Sequence, residues 1–320
     1  MNSEAKVSVI IPLYDQKQYV SEAIESVVTQ TYPNIELIVV NDGSTDDPYS
    51  VLEKYNTKIK LVNQKNRGLA AARNTGIQNS SGDYLQFLDA DDCLHPEKIR
   101  LQLEFTTKQG ATVSYCEIAQ YDQNSQHQYI NYVGEVKDMF VHLYNFWYIY
   151  PVPIHSLLFK RDIFEKFGLF DEKLKACEDR YFLSKLILQG VRFAYFPLIG
   201  GVRRKHKYNM NNNKLHIIKN TIKYYKKINR ELGDDWFIKK FNYSGYEMTC
   251  ANLTYIYGDC IANNAGHQTL KIVKKLYKKE NIKFNAKPIP LAVKRYKLIF
   301  LFAAAYFKKW KKALLTGDNL

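Results

Sequence analysis

The sequence predicts an α/β protein: a mostly parallel sheet flanked by helices, with a helical, basic C-terminal appendage. Short β-branched runs alternate with amphipathic helical stretches through the first third of the chain. Charge then divides sharply. Residues 201–320 hold 26 Lys and Arg against 7 Asp and Glu, a net +19, while residues 1–200 carry −5 of the total +14. A chain of 320 residues accommodates one sizeable α/β domain and a smaller second part. The expected division is 1–210 and 211–320.

The elements follow in order. Val7-Ser8-Val9-Ile10-Ile11 and Ile35 to Val40 are apolar, β-branched and bounded by turn residues, as buried strands are. Between them Val20, Ala23, Ile24, Val27 and Val28 recur at helical spacing from Tyr19 to Gln30, and Pro33-Asn34 ends the unit. A weak helix over Tyr49 to Tyr55, a strand at Ile59 to Val62, a helix from Leu69 to Gln78 and a strand at Tyr84 to Leu88 continue the rhythm. Pro96 opens an amphipathic helix to Gln109, and a strand follows near Thr112 to Tyr115. Tyr121 to Tyr132 is polar and reads as loop. Helices are expected at Arg161 to Phe167 and Arg180 to Gln189, a strand at Arg192 to Phe196, and helices from Lys214 onward.

Five scattered cysteines, odd in number and without a Cys-x-x-Cys pair, argue against a disulfide framework and a zinc site. A reducing cytoplasm fits. The polar opening Met1 to Lys6 runs directly into a short strand, unlike a signal peptide. Leu298 to Phe307, the longest apolar stretch, has about half the roughly 20 residues of a membrane span.

In open parallel sheets, ligands gather at the carboxyl ends of strands. Pro12-Leu13-Tyr14 follows the first strand, Asn41 to Asp47 the second, and Asp89-Ala90-Asp91-Asp92 the strand ending at Leu88. Asn41 to Asp47 also reads as a turn with a helix cap. Asp89, Asp91 and Asp92 repel one another unless a cation intervenes, and Mg²⁺ or Mn²⁺ favours such oxygens together with substrate phosphates. A solvated acidic loop before the next helix is the alternative. Arg73, in the small-residue stretch Gly68 to Gly76, reaches either a phosphate or an acid, or is a structural ion-pair partner. No Gly-x-Gly-x-x-Gly follows the first strand and no P-loop occurs, so phosphate handling falls to metal and side chains.

Four stretches taken together, Val9 to Tyr14, Val40 to Asp46, Asn66-Arg67-Gly68-Leu69 with Ala72 to Gly76, and Leu88 to Asp92, resemble those of the family 2 glycosyltransferases. The resemblance implies a GT-A (Rossmann-like) catalytic domain over residues 1–210. It implies an inverting transferase of the bacterial cell-surface glycan type, using Mn²⁺ or Mg²⁺. Such an enzyme moves a sugar from a nucleotide-diphosphate donor, usually UDP-linked, to a hydroxyl of a glycan or lipid-linked glycan acceptor. By the same resemblance Pro12, Tyr14 and Asp42 hold the nucleobase, Asp89 meets the ribose, Asp91 binds metal, and Arg73 lies near the diphosphate. Asn66 and Ala90 complete the nucleotide-sugar set.

The resemblance also makes Glu178-Asp179 the acidic pair of the acceptor half, with Asp179 as base; the pair equally suits a helix N-terminal turn. His206, in Arg203-Arg204-Lys205-His206, resembles an Arg-x-His element facing metal or diphosphate, although a lone histidine in a basic run is commonly a solvated surface residue. Arg180-Tyr181 departs from the Trp-Asp often found there.

Residues 291–315 mix Leu298, Ile299, Phe302, Phe307 and Trp310 with seven Lys and Arg. This composition suits an interfacial helix on the inner face of a membrane, or a helix packed on the catalytic domain with a solvated lysine face. A nucleic-acid surface explains the charge but leaves the acidic cluster unexplained, so nucleic acid is not an expected partner. A catalytically silent nucleotide-sugar-binding scaffold is the remaining alternative.

Overall fold

The computed structural model describes residues 5–131, 133–146, 152–241, 244–250, 252–253 and 267–280. The chain divides into two compact units, Met1–Asn209 and Met210–Leu320. In the first, strand β1 (Val7–Leu13) leads to helix α1 (Lys17–Val28), β2 (Ile35–Asn41), the short α2 (Tyr49–Leu52), β3 (Lys60–Asn63), α3 (Leu69–Gln78) and β4 (Tyr84–Phe87). Then come β5 (Cys93–Leu94), α4 (Lys98–Lys108), β6 (Val113–Asp122), β7 (His127–Asn131), β8 (Leu157–Lys160), α5 (Asp162–Phe167), α6 (Glu178–Leu188) and β9 (Phe193–Lys205).

The strands form one sheet in the order β3-β2-β1-β4-β8-β6-β9-β5, with β7 on β6. β1 to β4 pair in parallel, β6 and β9 run with them, and β5, β7 and β8 oppose. This is the predicted fold class, a mostly parallel sheet between helices. Two details differ from the sequence reading. Residues 121–131 are not simply a loop: 121–122 finish β6, 123–126 turn, and 127–131 form β7, pairing Asp122 with His127 and Ala119 with Ile130. An edge strand is held by backbone hydrogen bonds and tolerates polar side chains, so its pattern carries no apolar alternation. The antiparallel β8 is four residues long, too short to show a period.

Strand side chains alternate between faces. Ile10, Ile38, Val40, Phe87, Phe159 and Phe182 enter one core, while Val7, Val9, Ile11 and Leu13 enter another with Val20, Ile24, Val27 and Leu103. Helices cover both faces, which is why β1 is buried at every position. α3 packs unusually close: a Cβ on Gly76 would lie 2.2 Å from Ile10 Cγ2. Its Ala70, Ala71 and Ala72 are all buried. Phe164 and Phe182 stack at 5.1 Å, joining α5 to α6.

In the second unit, α7 (Lys214–Phe241) is kinked at Gly233, whose φ is +72°, and α8 spans His267–Lys279. Ile218, Ile222, Tyr225, Ile228, Val273 and Tyr277 are buried. Among the described residues no helix is long and apolar enough to cross a membrane. Residues 291–315 lie outside the described residues.

Candidate active site

The loops after β1 and β2 are laced together. Thr45 donates its backbone N–H to Asp15 Oδ1 at 2.6 Å, and Lys17 donates its N–H to Asp46 Oδ2 at 2.8 Å. Asn41 Oδ1 accepts from the N–H of Ser44, an Asx turn that shapes the loop. Gly43, at φ +73°, approaches Asn66 so closely that a Cβ would lie 2.8 Å from its backbone nitrogen. Asp42 is buried, and its carboxylate accepts from Gln64 Nε2 and from the N–H groups of Arg67 and Gly68. It therefore pins the Asn66 loop beside its own. Pro12 is buried and Tyr14 is exposed at the end of β1.

The acidic loop after β4 sends its carboxylates in three directions. Asp89 accepts from Arg73 Nη2 at 2.8 Å, and Arg73 Nη1 meets Glu178 at 2.6 Å. Arg73 is 1% exposed, so one guanidinium from α3 bridges the acidic loop and the first turn of α6. Burial opposes that guanidinium's charge, but Asp89, Glu178 and Asp179 outweigh burial and raise its pKa. Burial, then Asp179, push the Glu178 carboxyl up to about 7 against the pull of Arg73. Burial also raises Asp179, whereas Arg73 holds Asp89 below the ordinary range despite burial. The family resemblance puts Arg73 near the diphosphate; its Nη1 and Nη2 here meet the two carboxylates.

Asp91 takes the second direction. Its Oδ2 lies 2.9 Å from His206 Nε2 and accepts from Asn209 Nδ2 at 2.9 Å. His206, at the end of β9, is 3% exposed rather than solvated. Its ring packs on Tyr19 at 4.5 Å. Arg204 fixes the pair: its N–H donates to Asp92 Oδ1, its Nε to the Asp91 carbonyl, and its guanidinium lies over Tyr19 and pairs with Glu22. Asp92 takes the third direction, inward, with Oδ2 3.1 Å from His155 Nδ1. Ala90 between them is buried.

Cys177, at φ +63°, turns the chain through the left-handed region just before α6. Strain of this kind concentrates at functional sites. The turn sets Glu178 and Asp179 at the helix N-terminus, where carboxylates complement the dipole. Arg180 is fully buried and donates to the Leu143 and Tyr144 carbonyls, so it anchors α6 rather than facing the cleft.

Two donor sets suit a divalent cation. Asp89, Asp92 and His155 offer atoms within 4.8 Å of one another, but Asp92 and His155 are sealed, at 4% and 1% side-chain exposure. Asp89 keeps 35% of its side-chain surface and Asp91 15%, while His206 keeps 2%. Mg²⁺ and Mn²⁺ keep water or phosphate ligands, so either set would meet solvent through its carboxylate.

Three site residues escaped the sequence reading as functional: His155, Asn209 and Tyr19. None stands in a motif, and only their partners give them meaning.

The glycosyl transferase family 2 model matches residues 8–168, half of the chain. The chain belongs to that family. An uncharacterised glycosyltransferase of Rickettsia prowazekii is 38% identical over 186 residues, which is 54% of this chain and 56% of that protein. The glycosyltransferase GlyA of Streptococcus pneumoniae is 33% identical over 133 residues, or 41% of this chain and 19% of that protein. This chain thus spans little more than half of the first relative and less of the second. Among solved structures, S. aureus TarS 1–349 in complex with UDP-GlcNAc matches with TM-score 0.57 and 18% identity, covering 86% of this chain and 92% of that one. The mannosyltransferase PcManGT from Pyrobaculum calidifontis, in complex with GDP-Man and Mn²⁺, matches with TM-score 0.58 and 16% identity over 99% and 89%. Those two likenesses establish the GT-A fold.

Proposed function

We propose that this chain is an inverting, metal-dependent glycosyltransferase that moves a sugar from a UDP-linked or related nucleotide-diphosphate donor to a hydroxyl of a cell-surface glycan or its lipid-linked precursor. The observation that carries the reading is the Arg73 bridge, which joins the acidic loop to the α6 turn bearing Asp179. In-line displacement needs a base on one side of the sugar and charge neutralisation on the other.

Asp179 is the candidate base, and a carboxyl raised by burial is better matched to taking a proton. Glu178 holds Arg73 and thereby the orientation of the α6 turn. Asp91 and His206 would hold Mn²⁺ or Mg²⁺, which supplies positive charge to the departing diphosphate when bound. Pro12, Tyr14, Asp42 and Asn66 line the loops that would receive the nucleobase, with Asp89 and Ala90 toward the ribose. The mannosyl donor and Mn²⁺ of PcManGT, and the UDP-GlcNAc of TarS, support a nucleotide-sugar donor by analogy of fold.

The test is a hydrolysis and transfer screen of UDP-, GDP- and TDP-sugars with and without Mn²⁺. Asp179→Asn is expected to bind the donor while losing about 10² to 10⁴ in transfer rate. Normal turnover by that variant refutes the base assignment. Failure of every donor to bind refutes the transferase reading as a whole.

A further inference from the structure

In the second unit the first part of α7 and all of α8 present basic faces. Residues 214–230 and 267–279 contain no Asp or Glu, whereas α7 beyond Arg230 carries the exposed Glu231, Asp234 and Asp235. On α7, Lys219, Lys223, Lys226 and Arg230 are exposed, at the four- and three-residue steps that line one side of a helix. On α8, Lys271, Lys274, Lys275, Lys278 and Lys279 are exposed in the same way. The opposite sides are buried through Ile218, Ile222 and Ile228 on α7 and Val273 and Tyr277 on α8. Lys226 pairs with Glu280 just beyond α8, so the two basic faces adjoin.

Solvated helices ordinarily intersperse both signs. Here like charges stand four residues apart at 219 and 223, 226 and 230, 271 and 275, and 274 and 278, an arrangement that destabilises a helix in isolation. An anionic partner relieves that repulsion. Tyr224 and Tyr225 on α7 and Tyr277 on α8 are buried, so these two helices offer no tyrosine platform for the base stacking that single-stranded nucleic acid uses; Tyr246, 39% exposed, lies outside them. Ile272, 44% exposed, borders the α8 lysines, an apolar contact that suits a lipid headgroup boundary.

We infer that the basic faces of α7 and α8 dock this protein on an anionic lipid bilayer. The inference deepens the reading of a membrane-delivered acceptor, but it stands on residues other than the 291–315 tail. Each cation near an anionic leaflet is worth about fivefold in partitioning, the equivalent of about 1 kcal/mol.

The experiment is sedimentation of the full chain with phosphatidylglycerol-containing vesicles and with pure phosphatidylcholine vesicles, at low and high salt. The combined Lys219→Gln, Lys223→Gln, Lys271→Gln and Lys275→Gln variant is expected to lose several-hundred-fold in partitioning to the anionic vesicles. Its circular dichroism should stay unchanged and its thermal midpoint should hold or rise slightly, because these side chains lie outside the core and two like-charge pairs are removed. A parallel variant neutralises Lys308, Lys309, Lys311 and Lys312. Loss of binding in the tail variant alone, or wild-type binding by the helix variant, overturns the inference. So does tight binding to a single-stranded oligonucleotide with none to vesicles. Donor hydrolysis by the helix variant, measured in the same preparation, reports separately on the transferase reading.

Discussion

Arg73→Met removes the guanidinium that bridges Asp89 and Glu178, and its effect follows from how differently the two carboxylates are exposed. Asp89 keeps 35% of its side-chain surface and rehydrates, whereas Glu178 keeps 3% and does not. The loss therefore concentrates on Glu178, which escapes only by binding a proton. With Arg73 present its carboxyl already stands at about 7; without that opposing charge it is held protonated at pH 7 and above. That value is about 2.5 above the ordinary glutamate one, so the wild type itself already bears about 3 kcal/mol above pH 7, and the variant's deficit is what losing Arg73 adds. Breaking a buried pair by removing one partner typically adds about 3–5 kcal/mol. The sign follows from linkage: a folded-state pKa raised above the unfolded value gives stability that is full below about 4.5 and is lost as pH rises through the folded value. The deficit of the variant relative to wild type should thus be largest near pH 8 and shrink toward pH 5. Urea denaturation at constant m measures it, and Glu178→Gln in the same chain should recover more than half. A deficit under about 1 kcal/mol at pH 8, or one that Glu178→Gln deepens, refutes the bridge as the element joining loop and helix.

Three further outcomes are expected. Asp91→Asn and His206→Ala should each weaken Mn²⁺ binding at least tenfold by electron paramagnetic resonance titration, while Asp92→Asn should chiefly lower the thermal midpoint because Asp92 faces inward to His155. Gly76→Ala should destabilise by about 1–3 kcal/mol in chemical denaturation, since its Cβ meets Ile10 at 2.2 Å. Burial lowers the fully enclosed Lys98 to about 8, so the wild type gains up to about 3 kcal/mol over Lys98→Met as pH rises from about 8 toward 10.5. A difference between the two chains that is flat with pH refutes the buried, shifted amine.

Much of the first unit was legible because the signals are local. β1 and β2 are short, mostly apolar and β-branched runs, α3 is bounded by Gly68, and the acidic loop follows an apolar strand directly. What stayed hidden depends on partners distant in sequence. β7 exists because β6 offers it a backbone edge. His206 sits in a basic run that reads as solvated, yet Asp91, 115 residues away, and the ring of Tyr19 bury it. Arg73 was readable as an arginine facing a phosphate or an acid; that it faces two acids at once depends on where α6 begins, which the unusual backbone at Cys177 decides.

The three directions taken by Asp89, Asp91 and Asp92 give the acidic loop a division of labour that composition alone cannot show. Arg73 offsets Asp89 and ties it to α6. Asp92 is turned inward, accepting from the Arg204 N–H beside His155, which fastens the loop to β9. Asp91 is held by Asn209 and His206 and keeps 15% of its side-chain surface. Three neighbouring carboxylates facing one cavity would raise one another's pKa and surrender their charge to protons. Splitting them leaves Asp91 beside His206 and Asn209 as the candidate cation ligand and gives the other two the task of fastening the loop to α6 and β9. A cation held at Asp89, Asp92 and His155 instead would have to displace Arg73 or open a sealed pair, so loss of Mn²⁺ affinity in Asp92→Asn with none in Asp91→Asn would reverse this assignment.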